Sequence, residues 1–486
     1  MSRPPGADGQ WHRVHPLTPL ISSWQALVVI LIFVGQGFGQ DALQGHDMPT
    51  GVPGDFRHGL GGWLAAGGAV LVGVLVLVGA LAALSWRMTR FRVTEEALEI
   101  HHGVLVRSQR RARLDRLQAV DVVQPLIARL VGLARLTLEV AGGSDSKITL
   151  SYLTEAQANS LRNHLLARAA GLRYETDEAP EAPEHQVLQV PVSRLVGSLL
   201  LSSAAGIAVC IVIGLAVATV ISRQFGPIAA ILPAMLAIVG LLWHRFSGGF
   251  AFRLATSPDG LRLRHGLLEQ RAQTVPPGRV QAIGLDQPLL WRSADWWSVR
   301  VNIAGYGGSR ESENSTESVL LPVGTREEAI QVLALVAPDL GVSADENAYH
   351  VVQAGLTGTG PALGYQSSPS QARWLDPVVW RRNGFRVTRQ VLLTRSGRLH
   401  RRLDVVPHAR TQSCGLSQGW LQRRLGLVTF VLHSTPGPVS PYVRHLDATT
   451  GARLVVEQSQ RARLARVTAG PERWMERPAP VPPPPA

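Results

Sequence analysis

Cysteine is scarce in this chain. Among 486 residues only Cys210 and Cys414 occur, in unrelated settings. Two such thiols make neither a disulfide framework nor a metal site, and they fit a reducing, inward-facing compartment. Lysine is scarcer still. Lys147 is the single one, so the formal charge of +13 rests on arginine. A basic balance points to an anionic partner, either lipid headgroups or nucleic acid. Catalytic signatures are thin as well. No Walker A loop, HExxH or CxxC is present, and no serine reads as a nucleophile elbow. His101 and His102 precede a glycine turn and His265 stands at the matching place of a later copy, without the carboxylates or thiols that would complete a metal site. Asp115, Asp121 and Asp286 read as turn residues or arginine partners. These absences argue against an enzyme, a metal or a cofactor.

What the chain does have is one stretch carried three times, beginning at Phe91, Phe252 and Phe385. The second halves of the copies align without a gap. Arg116, Gln118, Gln124 and Arg129 correspond to Arg279, Gln281, Gln287 and Arg292, and then to Arg410, Gln412, Gln418 and Arg423. The period far exceeds that of a solenoid, so each copy reads as a small domain of its own. These repeated Arg and Gln positions read as structural, pairing with carboxylates or with backbone groups at turns and sheet edges. Their alternative is phosphate binding through bidentate arginine.

Apolar runs come next. Leu20 to Gly39 and Gly61 to Trp86 hold no charge; Leu195 to Ile221 and Pro227 to Trp243 form a second pair, the last interrupted by Pro233. A bilayer core of about 30 Å needs roughly 20 apolar residues of helix, so the reading is four transmembrane helices in two hairpins. The loop between the first two runs carries Asp41, Asp47 and Asp55, whereas Arg3, Arg13, Arg87, Arg90 and Arg92 flank them. The positive-inside rule puts the flanks in the cytoplasm.

Within a copy the pattern is short alternating strands, then one amphipathic helix. Thr154 with Gln157 and Thr325 with Glu328 are capping boxes that start such helices. Residues 1–19 read as a disordered tail, 173–193 and 341–372 as linkers, and the Pro-rich 469–486 as a second disordered tail.

The FRVT start, the Gly103 turn, the RLDRLQAV block and the segment from Gln124-Pro125 to Gly132-Leu133 together resemble bacterial pleckstrin-homology-like (PH-like) domain membrane proteins of the YdbT type. The order of two spans, domain, two spans, domain, domain adds to the likeness. Asp295-Trp296 departs from the Gly132-Leu133 pattern, and the third copy lacks the acidic insert around Glu311 to Glu317. The resemblance implies an α+β fold with membrane-spanning helices, each copy a bent antiparallel sheet closed by a C-terminal helix. The expected layout is hairpin 20–86, PH-like domain 87–172, hairpin 194–244, PH-like domain 245–340 and PH-like domain 373–468.

The expected function is binding and scaffolding at the bacterial inner membrane, with both termini and all three domains cytoplasmic, and with a role in envelope stress or protection. Partners would be the bilayer, anionic lipid headgroups, another membrane protein or a second copy. The basic runs Arg107, Arg110, Arg111, Arg113 and Arg395, Arg398, Arg401, Arg402 are the candidate contacts, each arginine near an anionic leaflet contributing about 1 kcal/mol. A transporter or channel is the first rival, weakened because the apolar runs offer only Gln25, Gln36, serines and threonines as polar groups. A membrane-tethered nucleic-acid binder is the second, and it lacks stacking aromatics, so no nucleic acid is expected.

Overall fold

The computed structural model describes residues 10–18, 21, 69–102 (except 70–71, 74–75, 78, 81–82, 85 and 95), 108–114, 117–140, 147–169, 184–222, 226–257, 260–275, 277–304 and 318–468. The first apolar run, the acidic loop, the Gly103 turn, the acidic insert and the Pro-rich end lie outside them. The chain divides into two compact units, 1–140 with 147–179 and 141–146 with 180–486.

In the first unit, alternation builds a four-stranded antiparallel sheet in the order β1 (His12–Arg13), β2 (Arg90–Val93), β3 (Ala97–His102) and β4 (Ser108–Arg113). Phe91, Val93, Leu98 and Ile100 point inward and are buried. β1 corrects the expectation of a wholly disordered tail. His12 pairs with Phe91, and Val14 is buried. A second set follows: β5 (Leu117–Pro125), a one-turn helix α1 (Leu126–Leu130), β6 (Leu133–Val140) and β7 (Lys147–Thr154), paired antiparallel as β5-β6-β7. Helix α2 (Glu155–Ala169) covers it with Ala158, Leu161 and Leu165. Thr154 and Gln157 bond each other's backbone N–H at 3.3 Å, satisfying two orphan donors of the first turn.

The second unit repeats this plan twice. Strand β8 (His185–Gln189) lies in the segment read as a linker, and it pairs with β9 (Arg253–Ser257), with which β10 (Gly260–His265) and β11 (Glu269–Val275) continue the sheet. Between β8 and β9 run α3 (Val192–Leu200), α4 (Ser203–Ser222) and α5 (Gly226–Gly249). The apolar run from Leu195 is therefore broken. The chain turns at Leu201, and Ser202 Oγ accepts from Ala205 N at 3.2 Å to start α4 anew. Of the four expected spans, one helix among the described residues, Ser203–Ile221 with mean hydropathy 2.7, is long and apolar enough to cross a membrane.

Copies two and three share a sheet. β12 (Val280–Gln287), β13 (Trp296–Ile303) and β14 (Val319–Thr325) belong to copy two; β15 (Gln366–Ser367), β16 (Gly384–Val387), β17 (Val391–Ser396) and β18 (Arg401–Pro407) belong to copy three. They form one seven-stranded sheet, because the edge of β12 pairs antiparallel with β18 from Ile283↔Val405 to Gln287↔Arg401. An unpaired edge is a liability in water, and here each copy covers the other's. Helix α6 (Arg326–Val336) closes copy two under the Thr325–Glu328 capping box.

The segment read as the linker 341–372 is also folded. Asn347 caps helix α7 (Ala348–Thr357), which buries Val351, Val352 and Leu356 in the 3–4 spacing of a helix face. Copy three ends with β19 (Ser413–Ser417), α8 (Trp420–Arg424), β20 (Leu427–His433), β21 (Tyr442–Asp447) and the long α9 (Ala448–Thr468). Phe385, Leu392, Val406, Phe430, Val443 and Leu454 fill its core.

Candidate functional site

The repeated motif forms a clasp. In copy two the Gln287 amide donates to Trp296 O at 3.3 Å and to Asp295 Oδ1 at 3.1 Å; in copy three the Gln418 amide donates to Leu427 O at 2.9 Å. Leu427 occupies the place of Trp296, so one glutamine ties the strand before the short helix to the strand after it. Gln124 is buried at the matching place. The residue that ends each clasp is left-handed: Gly132 at φ 68°, Asp295 at 50° and Gly426 at 65°. Asp tolerates that region better than most residues, which accounts for the departure at Asp295-Trp296. Its carboxylate also accepts from Trp297 Nε1 at 3.1 Å and pairs with Arg326 at 2.8 Å.

The other motif positions are dispersed. Gln281 donates to Arg279 O at 3.3 Å inside the copy. Arg129, Gln412 and Arg423 are exposed, Arg410 ends the 3-10 turn His408–Arg410, Gln118 lies on β5, and Arg116 is outside the described residues. Burial, with Arg401 and Arg398 nearby, lowers the pKa of Arg292.

The two basic runs divide differently. Arg110, Arg111 and Arg113 lie on β4, and Arg107 lies outside the described residues. Arg111 reaches across the strand to Glu99 at 3.5 Å and to Glu96 at 3.4 Å. In the second run Arg398 alone is exposed. Arg401 donates to Gln287 Oε1 at 3.1 Å, and Arg402 bonds Asp404 at 2.7 Å. Arg395 is 0% exposed, which corrects its reading as a leaflet contact. It bonds Ala354 O at 3.3 Å and Gly360 O, and lies over the Tyr365 ring at 4.5 Å. Arg382 joins it, donating to Gly355, Leu356 and Gly358 carbonyls at 3.0, 2.7 and 2.9 Å. Two buried guanidinium groups thus satisfy the last carbonyls of α7, where the helix dipole favours cations.

The letters Gly415-Leu416-Ser417-Gln418-Gly419 fit GxSxG without forming a nucleophile elbow. Ser417 is exposed at the end of β19 with ordinary backbone, and no histidine bonds it among the described residues.

Sequence reasoning did not find the cavity of about 280 Å³ in the second unit. It opens where the α4–α5 hairpin meets the sheet. Leu195, Leu199, Phe252 and Trp291 give it apolar walls, Ser202 and Ser203 stand at the start of α4, and Arg245 stands near the end of α5. Trp291 fixes one wall by donating Nε1 to Ser198 O at 2.9 Å. Arg300 and His400 line the opposite side, turned towards Asp286 at 3.8 and 3.1 Å. Burial alone would raise Asp286, but His400, Arg300 and Arg402 together hold it below its ordinary value. Arg245, Arg300 and His400 come from places far apart in sequence, and only Arg245, as the flank of an apolar run, left a signal. The arrangement can hold an anion beside an apolar group. Among the described residues no cluster of His, Cys, Asp and Glu could hold a metal ion.

A family model described as bacterial PH domain matches residues 49–169, 199–339 and 368–462. The chain is 25% identical over 305 residues to the UPF0699 transmembrane protein YdbT of Bacillus subtilis (strain 168), an alignment covering 56% of this chain and 61% of that relative. The chain thus spans about three fifths of the curated relative's length.

Proposed function

The chain belongs to the bacterial PH domain family, and from that premise we propose that it is a multi-pass membrane protein whose PH-like units bind an anionic headgroup at the bilayer surface and scaffold there, without catalysis. The cavity at the foot of the α4–α5 hairpin carries this reading. Its two arginines and apolar walls lie where an apolar helix, Ser203–Ile221, begins. A phosphate flanked by acyl chains presents the complementary chemistry.

Strand pairing supports an even number of crossings. β8 and β9 flank the segment 190–252 and pair with each other, so both ends of the hairpin return to one sheet. β1 and β2 flank the first apolar pair in the same way. Four spans with cytoplasmic domains fit this parity and the arginine-rich flanks.

Native mass spectrometry of the full chain tests the headgroup reading. Phosphatidylglycerol is expected to be retained over phosphatidylcholine, and the Arg245→Gln/Arg300→Gln variant is expected to lose that preference. Equal retention of both lipids by the wild-type chain would sink the reading. Inorganic phosphate, added to the lipid-bound chain, separates the two sources: a free-phosphate site releases the lipid at modest phosphate concentration, and a lipid site retains it.

A further inference from the structure

Every copy receives an extra strand from the segment before it. β1 sets His12 opposite Phe91, β8 sets Gln189 opposite Arg253, and β15 sets Gln366 opposite Phe385. What lies between that strand and the next differs. In copies one and two it includes a pair of long apolar runs, but in copy three it is only residues 368–383. At the position of a membrane hairpin, copy three thus has a short loop, Ser-Pro-Ser-Gln-Ala-Arg-Trp-Leu-Asp-Pro-Val-Val-Trp-Arg-Arg-Asn.

The loop exposes two large apolar side chains among arginines. Trp374 is 71% exposed and Val378 50% exposed. Arginines flank both ends: Arg373 lies over the Trp374 ring at 5.4 Å and Arg381 over Trp380 at 5.3 Å. A second exposed apolar tip belongs to the same copy. The clasp helix α8 presents Trp420, 74% exposed, and Leu421, followed by Arg423 and Arg424. In copy one the matching helix α1 packs Ala128 against Ile21, at the start of the first apolar run. In copy two the matching turn bonds α3 through Trp291. In both copies the matching element thus sits beside residues from the start of an apolar run.

The loop and the clasp helix of copy three lie on one side. Ser368 Oγ donates to Arg444 O at 2.8 Å, Asp376 stands within electrostatic reach of His445, and the His445 ring meets the Gln422 amide of α8 at 3.0 Å.

We propose that copy three, which lacks its own spans, seats on the bilayer through these two tips, Trp374 and Val378 of the loop and Trp420 and Leu421 of α8, inserted at the level of the anionic headgroups. Tryptophan with arginine is the side-chain pair of a membrane–water interface: the indole sits among headgroups and acyl chain ends while the guanidinium meets phosphate. Copy three is thus a third contact between the chain and the membrane, made without a crossing. The inference rests on the reading that α4 and α5 cross the bilayer.

The test uses the full chain with Cys210 and Cys414 replaced by serine, reconstituted in vesicles containing phosphatidylglycerol. A fluorophore is attached in turn at Val378→Cys, Leu421→Cys, Leu464→Cys and Val217→Cys, and quenching by a lipid spin-labelled near its headgroup is read. Val217 lies on α4. Leu464, also exposed, lies at the far end of α9 from Ala448, whose N–H bonds Gly426 beside the clasp. Quenching at 378 and 421 is expected to exceed that at 464 several-fold, and to fall when Trp374→Ala and Trp420→Ala are added. Quenching at 217 with none above the 464 level at 378 and 421 would overturn this inference alone. So would shielding of 378 and 421 that follows protein concentration instead of lipid, which would mean a second copy covers the tips. No quenching at 217 would overturn the membrane-crossing reading and this inference with it.

Discussion

Gly426 shows how far single residues carry the fold. Its φ of 65° lies where a Cβ is crowded by the backbone, and space around it is otherwise open. Gly426→Ala is therefore expected to cost about 1 kcal/mol through backbone strain alone, read as a fall in the urea midpoint with the slope unchanged. Asp404 carries a pH dependence. Burial, outweighing the attraction of Arg402, pushes it up to about 6 from 3.8. The folded state thus holds a proton that the unfolded chain releases. Its contribution is complete below about pH 4 and lost as pH rises through about 6, a change of about 3 kcal/mol. Asp404→Asn is expected to remove that part of the slope in Tm between those pH values; an unchanged slope would assign it elsewhere. Asp286 works in the opposite sense. It is held below its ordinary value, so its stabilisation is present above that value and lost on acidification.

At the level of elements, α7 and its two arginines are the informative case. Arg395→Met would remove the guanidinium's hydrogen bonds to Ala354 O, Gly360 O and Ser367 Oγ and is expected to destabilise the second unit by about 2 kcal/mol, seen in calorimetry. A lipid-contact arginine would lose affinity and keep its Tm, so the measurement separates the two roles. Asn347 Oδ1 accepts from Tyr349 N at 2.8 Å, and Asn347→Ala should cost about 1 kcal/mol by uncapping the same helix. Legibility in the sequence varied with the kind of interaction. The capping boxes at Thr154 and Thr325 were readable because partner and cap lie three residues apart. The clasp glutamines were readable as turn-satisfying groups because the spacing recurs. Helix α7 was missed because glycine, serine and proline around it outweighed the short apolar stripe at Val351, Val352 and Leu356. Arg395 was misread because a hydrophilic side chain in an alternating strand gives no sign that a helix end waits opposite it.

On the scale of the whole molecule, the pairing of β8 with β9 makes a topological prediction. Cysteines placed at Gln186 and Arg264 should react with an impermeant reagent from one side of a sealed vesicle. Reaction from opposite sides would mean an odd number of crossings. Copies two and three share one sheet through β12 and β18, so neither edge is left to solvent. A fragment ending before β15 would bare β12 and is expected to aggregate, as light scattering would report.

The sequence by itself determined the threefold repeat, the strand-then-helix order, the apolar runs and the arginine-rich flanks. All of these depend on residues close together in the chain or on simple periodicity. Tertiary structure alone decided that segments read as linkers donate strands, that Arg382 and Arg395 close a helix, and that Arg245, Arg300 and His400 line one cavity. Each of these joins residues distant in sequence, and the first two do so through backbone groups and sheet edges, which no side-chain pattern announces.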